Sequence, residues 1–219
     1  MKTIKILLGV FAMVMLASSA YAIPFNITYT ADNALTEFQY STNGGALVDV
    51  PGFVADGSTT GGDWKTSASL SLDLARGNDY TFQWEVTNYA GSGDNPTAFL
   101  ADIIYGTTAI STNAVWEVAA GVYDPISNTW SPGSWVTATE YAANDGSTGV
   151  DTWYNSNGNA AIAGISDSAQ WIGVGAYPGT GSSVNFVRVT FSATPIPGAL
   201  WLMGSGLLGL VGIGRLRRS

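Results

Sequence analysis

Polar and apolar residues alternate strictly along two neighbouring segments of this chain. Leu70, Leu72 and Leu74 are separated by serine and aspartate, and an aromatic run over residues 80–87 alternates in the same way. Successive side chains of a β-strand point to opposite faces, so this period of two predicts strands with one buried face and one solvent-exposed face. Residues 75–79 between the two segments have the composition of a turn, and the pair is predicted to form a hairpin.

The rest of the central region shows the same pattern in short segments, with no convincing amphipathic helix. The alternation slips by one residue between Phe186 and Val187, which predicts a β-bulge. Short strands separated by turns rich in Gly, Asn, Ser and Asp predict an all-β fold, a single antiparallel β-sandwich of jelly-roll type. The further predicted strands are residues 25–30, 35–40, 98–105, 115–123, 134–140, 170–177 and 184–192.

The first 22 residues have the three zones of a secretory signal peptide. Lys2 and Lys5 supply a positive start, residues 6–16 are apolar, and Ala20 and Ala22 are the small residues that signal peptidase requires. We expect cleavage after Ala22, so that the mature chain begins at Ile23 outside the cytoplasm.

The C-terminal end has the composition of a membrane segment. Residues 198–214 contain no charged side chain and would form a helix of roughly 26 Å, just short of a hydrocarbon core. Arg215, Arg217 and Arg218 follow directly and are expected to stop transfer, because arginine is retained on the cytoplasmic side. Residues 23–194 are therefore predicted to be one exported domain.

The tail resembles a known sorting signal. Pro195 and Pro197, the apolar core at 201–210 and the terminal arginines match the PEP-CTERM signal of exopolysaccharide-producing Gram-negative bacteria. Ile196 between the prolines corresponds to a VPLPA-like variant of that tail. The resemblance implies recognition by an exosortase, cleavage near the prolines and release to the cell surface or extracellular matrix. The alternative is an ordinary single-span anchor that is retained.

A second resemblance covers the exported domain. Trp64, the 70–82 segment and the sequence at 96–101 resemble the galactose-binding-like β-sandwich, and further matches continue to the end of the domain. This resemblance implies the fold and says little about a ligand, since one fold serves many functions. The other matching segments are residues 30–34, 43–45, 134–138, 169–172 and 184–188.

Charge and missing side chains exclude several functions. All 16 acidic residues lie in segment 23–194 with only Lys65, Arg76 and Arg188, a formal charge of about −13, so nucleic acid is not an expected partner. The chain has no cysteine and no histidine. Ser-His-Asp hydrolysis, Cys-His proteolysis and ordinary zinc catalysis are therefore excluded, and the fold cannot rely on disulfides.

Three loops concentrate oxygen ligands. Carboxylate and amide oxygens on Gly-rich loops are suited to Ca²⁺, which takes six to eight such ligands. Plain turns are the competing interpretation, because Asp, Asn and Gly are also the ordinary residues of turns. No other cofactor is expected. The candidate ligands are Asp56 and Asp63, Asp94 and Asn95, and Asp145 and Asp151.

Tryptophans are the candidate sugar contacts. Trp84 and Trp171 lie in apolar strand patterns and are predicted to be core, whereas Trp64, Trp130 and Trp153 lie among polar, Gly, Pro and Asn residues. An exposed indole can stack on the apolar face of a sugar. The alternative is that these rings are lids over the core.

Together these features predict an exported, non-enzymatic protein of the cell surface or exopolysaccharide matrix. Its expected role is structural or adhesive, with weak binding to exopolysaccharide. The alternative is a secreted carbohydrate-active enzyme that uses an Asp/Glu pair, since glycoside hydrolysis needs two acids across the bond.

Overall fold

A computed structural model describes residues 22–55, 64–88, 97–146, 161–175 and 183–193. All regular structure in these ranges is β, as predicted, and none of the described residues forms a helix that is long and apolar enough to cross a membrane. The predicted membrane segment 198–214 lies outside the described residues. The strands are β1 (Ala22–Asp32), β2 (Ala34–Thr42), β3 (Val48–Asp49), β4 (Ala68–Ala75), β5 (Asp79–Asn88), β6 (Ala98–Tyr105), β7 (Thr108–Ser111), β8 (Glu117–Asp124), β9 (Thr129–Pro132), β10 (Val136–Thr137), β11 (Thr139–Ala143), β12 (Gln170–Gly173) and β13 (Ser183–Ser192).

The strands form two sheets that pack as a sandwich. Sheet I has the order β11-β12-β6-β1-β4, with β7 also paired to β6. Sheet II has the order β10-β8-β13-β5-β2-β3, with β9 also paired to β8. The pairs β1–β6, β2–β5, β8–β13 and β11–β12 are antiparallel. The predicted all-β class and the antiparallel sandwich are confirmed.

The chain separates into two compact units. The larger consists of Ile23–Leu74 and Asp79–Phe191, and the described part of the smaller consists of Ala22, Ala75–Asn78 and residues 192–193. In the described part of the smaller unit, the Gly77 amide donates to the Ala193 carbonyl at 2.6 Å, and the Ala193 amide donates to the Asn78 carbonyl at 2.9 Å. These two bonds hold the 75–78 turn against the chain that follows β13.

Aromatic rings fill the space between the two sheets. Trp84 on β5 is fully buried; its ring stacks on Phe38 at 4.4 Å between centroids and lies 4.9 Å from Phe99 on the opposite sheet. Trp116 also stacks on Trp84, with 5.7 Å between ring centroids. Trp84 thus joins both sheets, and the predicted core position of Trp84 is confirmed, as is that of Trp171.

The aromatic layer continues towards the other end of the sandwich. Phe25 on β1 stacks on Tyr105 at 4.6 Å and contacts Phe191 at 5.6 Å. Phe82 on β5 packs edge-on against Phe191 at 5.2 Å and against Trp84 at 6.0 Å. The inward residues of β1, β5, β6 and β13 therefore form one continuous layer.

The predicted hairpin over residues 70–87 is wrong. Its two strands exist as β4 and β5, but β4 lies at the edge of sheet I and β5 lies inside sheet II. Leu72 and Leu74 are buried on β4, as are Tyr80 and Phe82 on β5. Alternation assigns each strand a buried face but not a neighbour, because strands facing one core from opposite sides carry the same pattern.

Two further strand predictions need correction. The predicted strand 134–140 is divided between the sheets: Val136–Thr137 belongs to sheet II and Thr139–Ala143 to sheet I. Buried Ala138 marks the crossing, where its amide donates to the Trp116 carbonyl at 2.9 Å. The bulge predicted at Phe186 is absent from the pairing with β8, where the register runs without a shift from Asn185 to Arg188.

A loop covers the outer face of sheet I. Leu100 and Trp171 point outward from the sheet and pack with Ile162 and Ile165 of the 161–169 segment. The buried Asn144 side chain holds this segment: its amide donates to the carbonyls of Ile162 at 3.1 Å and Ile165 at 3.0 Å, and its oxygen accepts from the Ile162 amide at 2.7 Å. Sheet I is therefore apolar on both faces in its centre.

Removal of the central ring should test the aromatic layer. We expect Trp84→Ala to lower the free energy of unfolding by about 3–5 kcal/mol, the range for a large aromatic deleted from a core. Urea unfolding of the full chain, followed by circular dichroism, measures the change. Trp84→Phe should lose less because it retains a ring, and Val54→Ala, at an exposed position, should change the value by less than about 0.5 kcal/mol. Equal losses for the alanine and phenylalanine variants would contradict the stacking role.

Candidate functional site

An aromatic pair lies on the hairpin formed by β8 and β9. Tyr123 and Trp130 are directly opposite each other in the register, and their ring centroids are 5.0 Å apart. Tyr123 is 45% exposed and Trp130 41% exposed. Trp130 therefore presents an exposed ring and is not a lid over the core, while its contact with a sugar stays a prediction.

The loop of this hairpin is held by its own side chains. Asp124 accepts hydrogen bonds from the Ile126 amide and the Ser127 hydroxyl, both at 2.8 Å. These bonds hold the pKa of the Asp124 carboxyl below its ordinary value. The Tyr123 hydroxyl donates to Asn128 Oδ1 at 2.6 Å, and Asn128 has a positive φ of 56°. The Tyr123 side chain is thereby tied to the loop of its own hairpin.

Trp135 reaches the same face through an inserted residue. Pro132 faces Gly121 and Val136 faces Val118, so the strand containing Trp135 has one residue more than β8 between these pairs. Such an insertion redirects the side chains that follow it. Trp135 and Trp130 are five residues apart and would point to opposite faces of a regular strand. The insertion brings both to the outer face of sheet II.

Trp135 covers a small apolar cluster on that face. Ala119, Val184 and Phe186 are buried outward-facing residues, and Trp135 packs against them. The Arg188 guanidinium lies 4.0 Å from the centroid of the Trp135 ring. This cover explains why Phe186 and Val187 are both buried, a pattern that the sequence analysis interpreted as a bulge.

Gly121 connects the two parts of the face. A Cβ at this position would lie 2.7 Å from the Val184 carbonyl oxygen and 3.0 Å from Cε3 of Trp130. Trp130 and Val184 can therefore both lie against residue 121 only because that residue has no side chain. We call Tyr123, Trp130 and Trp135, with Val184 and Phe186 beside them, the aromatic strip.

Charges border the aromatic strip at both ends. Arg188 Nε donates to Glu117 Oε2 at 2.8 Å, and the two side chains are 30% and 44% exposed. Asp124 stands at the other end, beside Tyr123. Of the three basic residues in segment 23–194, Arg188 is the one at this face, and it is already paired.

The other two candidate tryptophans have different outcomes. Trp64 is half-buried against the apolar cluster on the outer face of sheet I, with Lys65 Nζ 4.7 Å from its ring centroid. Its ring covers part of that cluster, which is the alternative to a sugar contact given for these tryptophans above. Trp153 lies outside the described residues.

Most of the candidate calcium ligands also lie outside the described residues: Asp56, Asp63, Asp94, Asn95 and Asp151. Asp145 is described and exposed. No group of three or more acidic side chains within the described ranges is arranged to hold a metal ion. The expectation of Ca²⁺ at these loops stays a prediction.

The processing signals lie at the ends of the chain. Ala22 is exposed and is the first residue of β1. The remaining predicted processing residues are outside the described part: Ala20, Pro195, Pro197, Arg215, Arg217 and Arg218. Signal cleavage, sorting and stop-transfer stay predictions.

A separate acidic group lines a shallow hollow of about 240 Å³ beside β2 and β3. Gln39 Nε2 donates to Glu37 Oε1 at 2.9 Å and to Asp49 Oδ1 at 3.0 Å. Glu37 also faces Glu85 across the strands, and the Thr36 hydroxyl donates to Glu85 Oε1 at 2.6 Å. The pKa of Glu37 is raised above its ordinary value. Partial burial is the largest cause, followed by the negative charges of Glu85 and Asp49.

Comparisons with known proteins give no relative. No protein-family model matches the chain, and no curated protein or solved structure matches it.

Sequence reasoning missed most of the aromatic strip. Trp130 was recognised from its polar surroundings, but Tyr123 was assigned to a strand and Trp135 to another. The Pro132-Gly133 step was the available signal, since Pro and Gly interrupt regular strands. It indicates a break without indicating which face the next side chain takes.

Neutralising Glu37 should test the acidic group. Because the pKa of Glu37 is raised in the folded state, the protonated side chain favours the folded chain. This contribution to the free energy of unfolding is complete below the ordinary pKa of 4.5 and is lost as pH rises through the folded-state pKa. We expect Glu37→Gln to raise the free energy of unfolding at pH 7 by about 0.5 kcal/mol, the size of an exposed cross-strand repulsion. The gain should vanish by pH 4 in urea unfolding. Asp73→Asn, an exposed acid of β4, is the matched control, and an equal gain there would contradict the explanation.

Proposed function

We propose that this chain is an exported, non-enzymatic protein of the cell surface or exopolysaccharide matrix. Its N-terminal 22 residues direct export, and the tail from Pro195 is the sorting signal that an exosortase cleaves. The 23–194 domain is a jelly-roll sandwich of the galactose-binding-like kind, and it acts structurally or adhesively through weak contacts with polysaccharide.

The observation that carries the adhesive role is the exposed, pre-formed aromatic pair on the β8–β9 hairpin. Trp130 and Tyr123 keep large exposed fractions although each has an apolar ring. The bonds of Asp124 and Asn128 hold the loop and the Tyr123 ring beside Trp130, which reduces the entropy lost when a ligand binds. Sugars present apolar C–H faces to such rings and hydroxyls to the polar groups beside them.

The acids beside the hollow have structural partners that account for them without an enzymatic role. Glu37 and Asp49 share Gln39 as a donor, and Glu85 accepts from Thr36. These contacts pair the acids with neighbouring strands and fix the edge strand β3. A glycosidase needs one acid to donate a proton and a second to act as base or nucleophile across an open cleft.

Sorting is tested by the intact mass of the protein purified from its native cells. We expect the mass of a chain that begins at Ile23 and ends near Pro197. A Pro195→Ala, Pro197→Ala double variant should keep the tail, because the sorting enzyme would lose its motif. A wild-type mass that includes residues 198–219 would contradict cleavage and favour a retained anchor.

Adhesion is tested by a polysaccharide-binding screen on the full chain. The protein is purified in a detergent without a sugar headgroup, and the panel includes exopolysaccharide from the native cells, with Ca²⁺ and with chelator. We expect binding to at least one polysaccharide; loss of binding in chelator would point to the acidic loops. No binding in either condition would contradict the adhesive role.

A further inference from the structure

We infer that the aromatic strip binds a neutral polysaccharide along its chain, with the exposed Trp130 ring as the stacking position and the partly exposed Trp135 as a second contact further along the strip. The inference rests on the proposed adhesive function and specifies the site, charge and length of the ligand.

The first step concerns shape. Tyr123 and Trp130 occupy the part of β8 near residues 121–123, and Trp135 covers the part opposite residues 117–119. At about 3.4 Å per residue, these two parts are separated by roughly 14 Å along the strand. A single sugar cannot cover that distance, whereas a chain of several sugars can. The inserted residue before Val136 places both tryptophans on the same face, as such a chain requires.

The second step concerns polar contacts. No hydrogen-bond acceptor among the described residues reaches Trp130 Nε1, so the indole N–H is available beside the exposed ring. Asn128, Thr129 and Ser131 border the same hairpin and are exposed. Sugar hydroxyls both donate and accept, so they fit this mixed rim without requiring a charged group.

The third step concerns charge. Arg188 is bound by Glu117 and stacked on Trp135, so it is not available to a ligand carboxylate. Exposed Asp124 and Glu117 stand at the two ends of the strip, and the whole chain carries a net charge of −8. A polymer of uronates would meet the negative charge of Asp124 at one end, and at the other end Glu117 already occupies Arg188. A neutral polymer would meet no such repulsion.

A second copy of the chain is the competing occupant. Trp130 and Tyr123 each leave roughly 100 Å² exposed. A stable protein interface buries about 800 Å² on each partner. The two rings together supply about a quarter of that area, so a dimer would need further contacts beyond the strip, whereas a narrow polymer would not.

The test measures the affinity of the full chain for neutral glucan and mannan oligosaccharides by isothermal titration calorimetry in the same detergent. We expect affinity to rise by about tenfold or more from monosaccharide to hexasaccharide, with no comparable binding of oligouronates. Trp130→Ala should weaken hexasaccharide binding by about tenfold or more, the usual effect of removing an aromatic anchor. Trp130→Phe should recover part of the loss.

Two further variants distinguish a change in the aromatic strip from a general loss of folding. Gly121→Ala should weaken binding because its Cβ must displace Trp130 or the Val184 backbone. Val54→Ala removes an exposed apolar side chain outside the strip and should bind like the wild type. Urea unfolding of each variant identifies any that fail to fold, and Trp130→Tyr then replaces a misfolded alanine variant.

The outcomes separate this inference from the proposed function. If the chain binds polysaccharide but the Trp130 and Gly121 variants bind as well as the wild type, the aromatic strip is not the binding site and the adhesive role stands. Stronger binding of oligouronates would overturn the neutral ligand. If the chain binds no polysaccharide and sedimentation shows a dimer that Trp130→Ala dissociates, both proposals fail and the strip contacts a second copy.

Discussion

The structure depends on aromatic packing between two sheets, with Trp84 at its centre. The chain contains no cysteine, so disulfides cannot hold the sheets together. Trp84 contacts Phe38 and Trp116 and reaches Phe99 on the opposite sheet, while Phe25 and Phe191 continue the layer. Large rings bury much apolar area for each residue ordered, which suits a domain that relies on its core alone.

The sheets also use their outer faces. The 161–169 segment, held by Asn144, covers the centre of sheet I, and Trp135 covers Phe186 on sheet II. The aromatic strip extends from this second cover onto the exposed hairpin. The candidate binding surface is therefore an extension of the packing that stabilises sheet II, and its rings are positioned by strands and a bonded loop.

The alternation of apolar and polar residues predicted most of the long strands, because successive side chains of a strand point to opposite faces. It failed where outward residues are covered: Phe186 and Val187 resemble a slip although the register with β8 is continuous. It also joined β4 and β5 into a hairpin because both strands bury the same kind of face. For the candidate site, polar neighbours were enough to indicate Trp130, whereas Trp135 depends on a register shift that pairing alone reveals.

The sequence by itself determined the all-β class, the buried side of most strands, the acidic charge and the exclusion of histidine and cysteine chemistry. These properties follow from residue type and local spacing. Only the tertiary structure decided which sheet each strand joins, that segment 134–140 crosses between sheets, and that Trp130 and Trp135 share a face. Strand partners are chosen by contacts between residues distant in the chain, and a one-residue insertion reverses the direction of a side chain without altering its local composition.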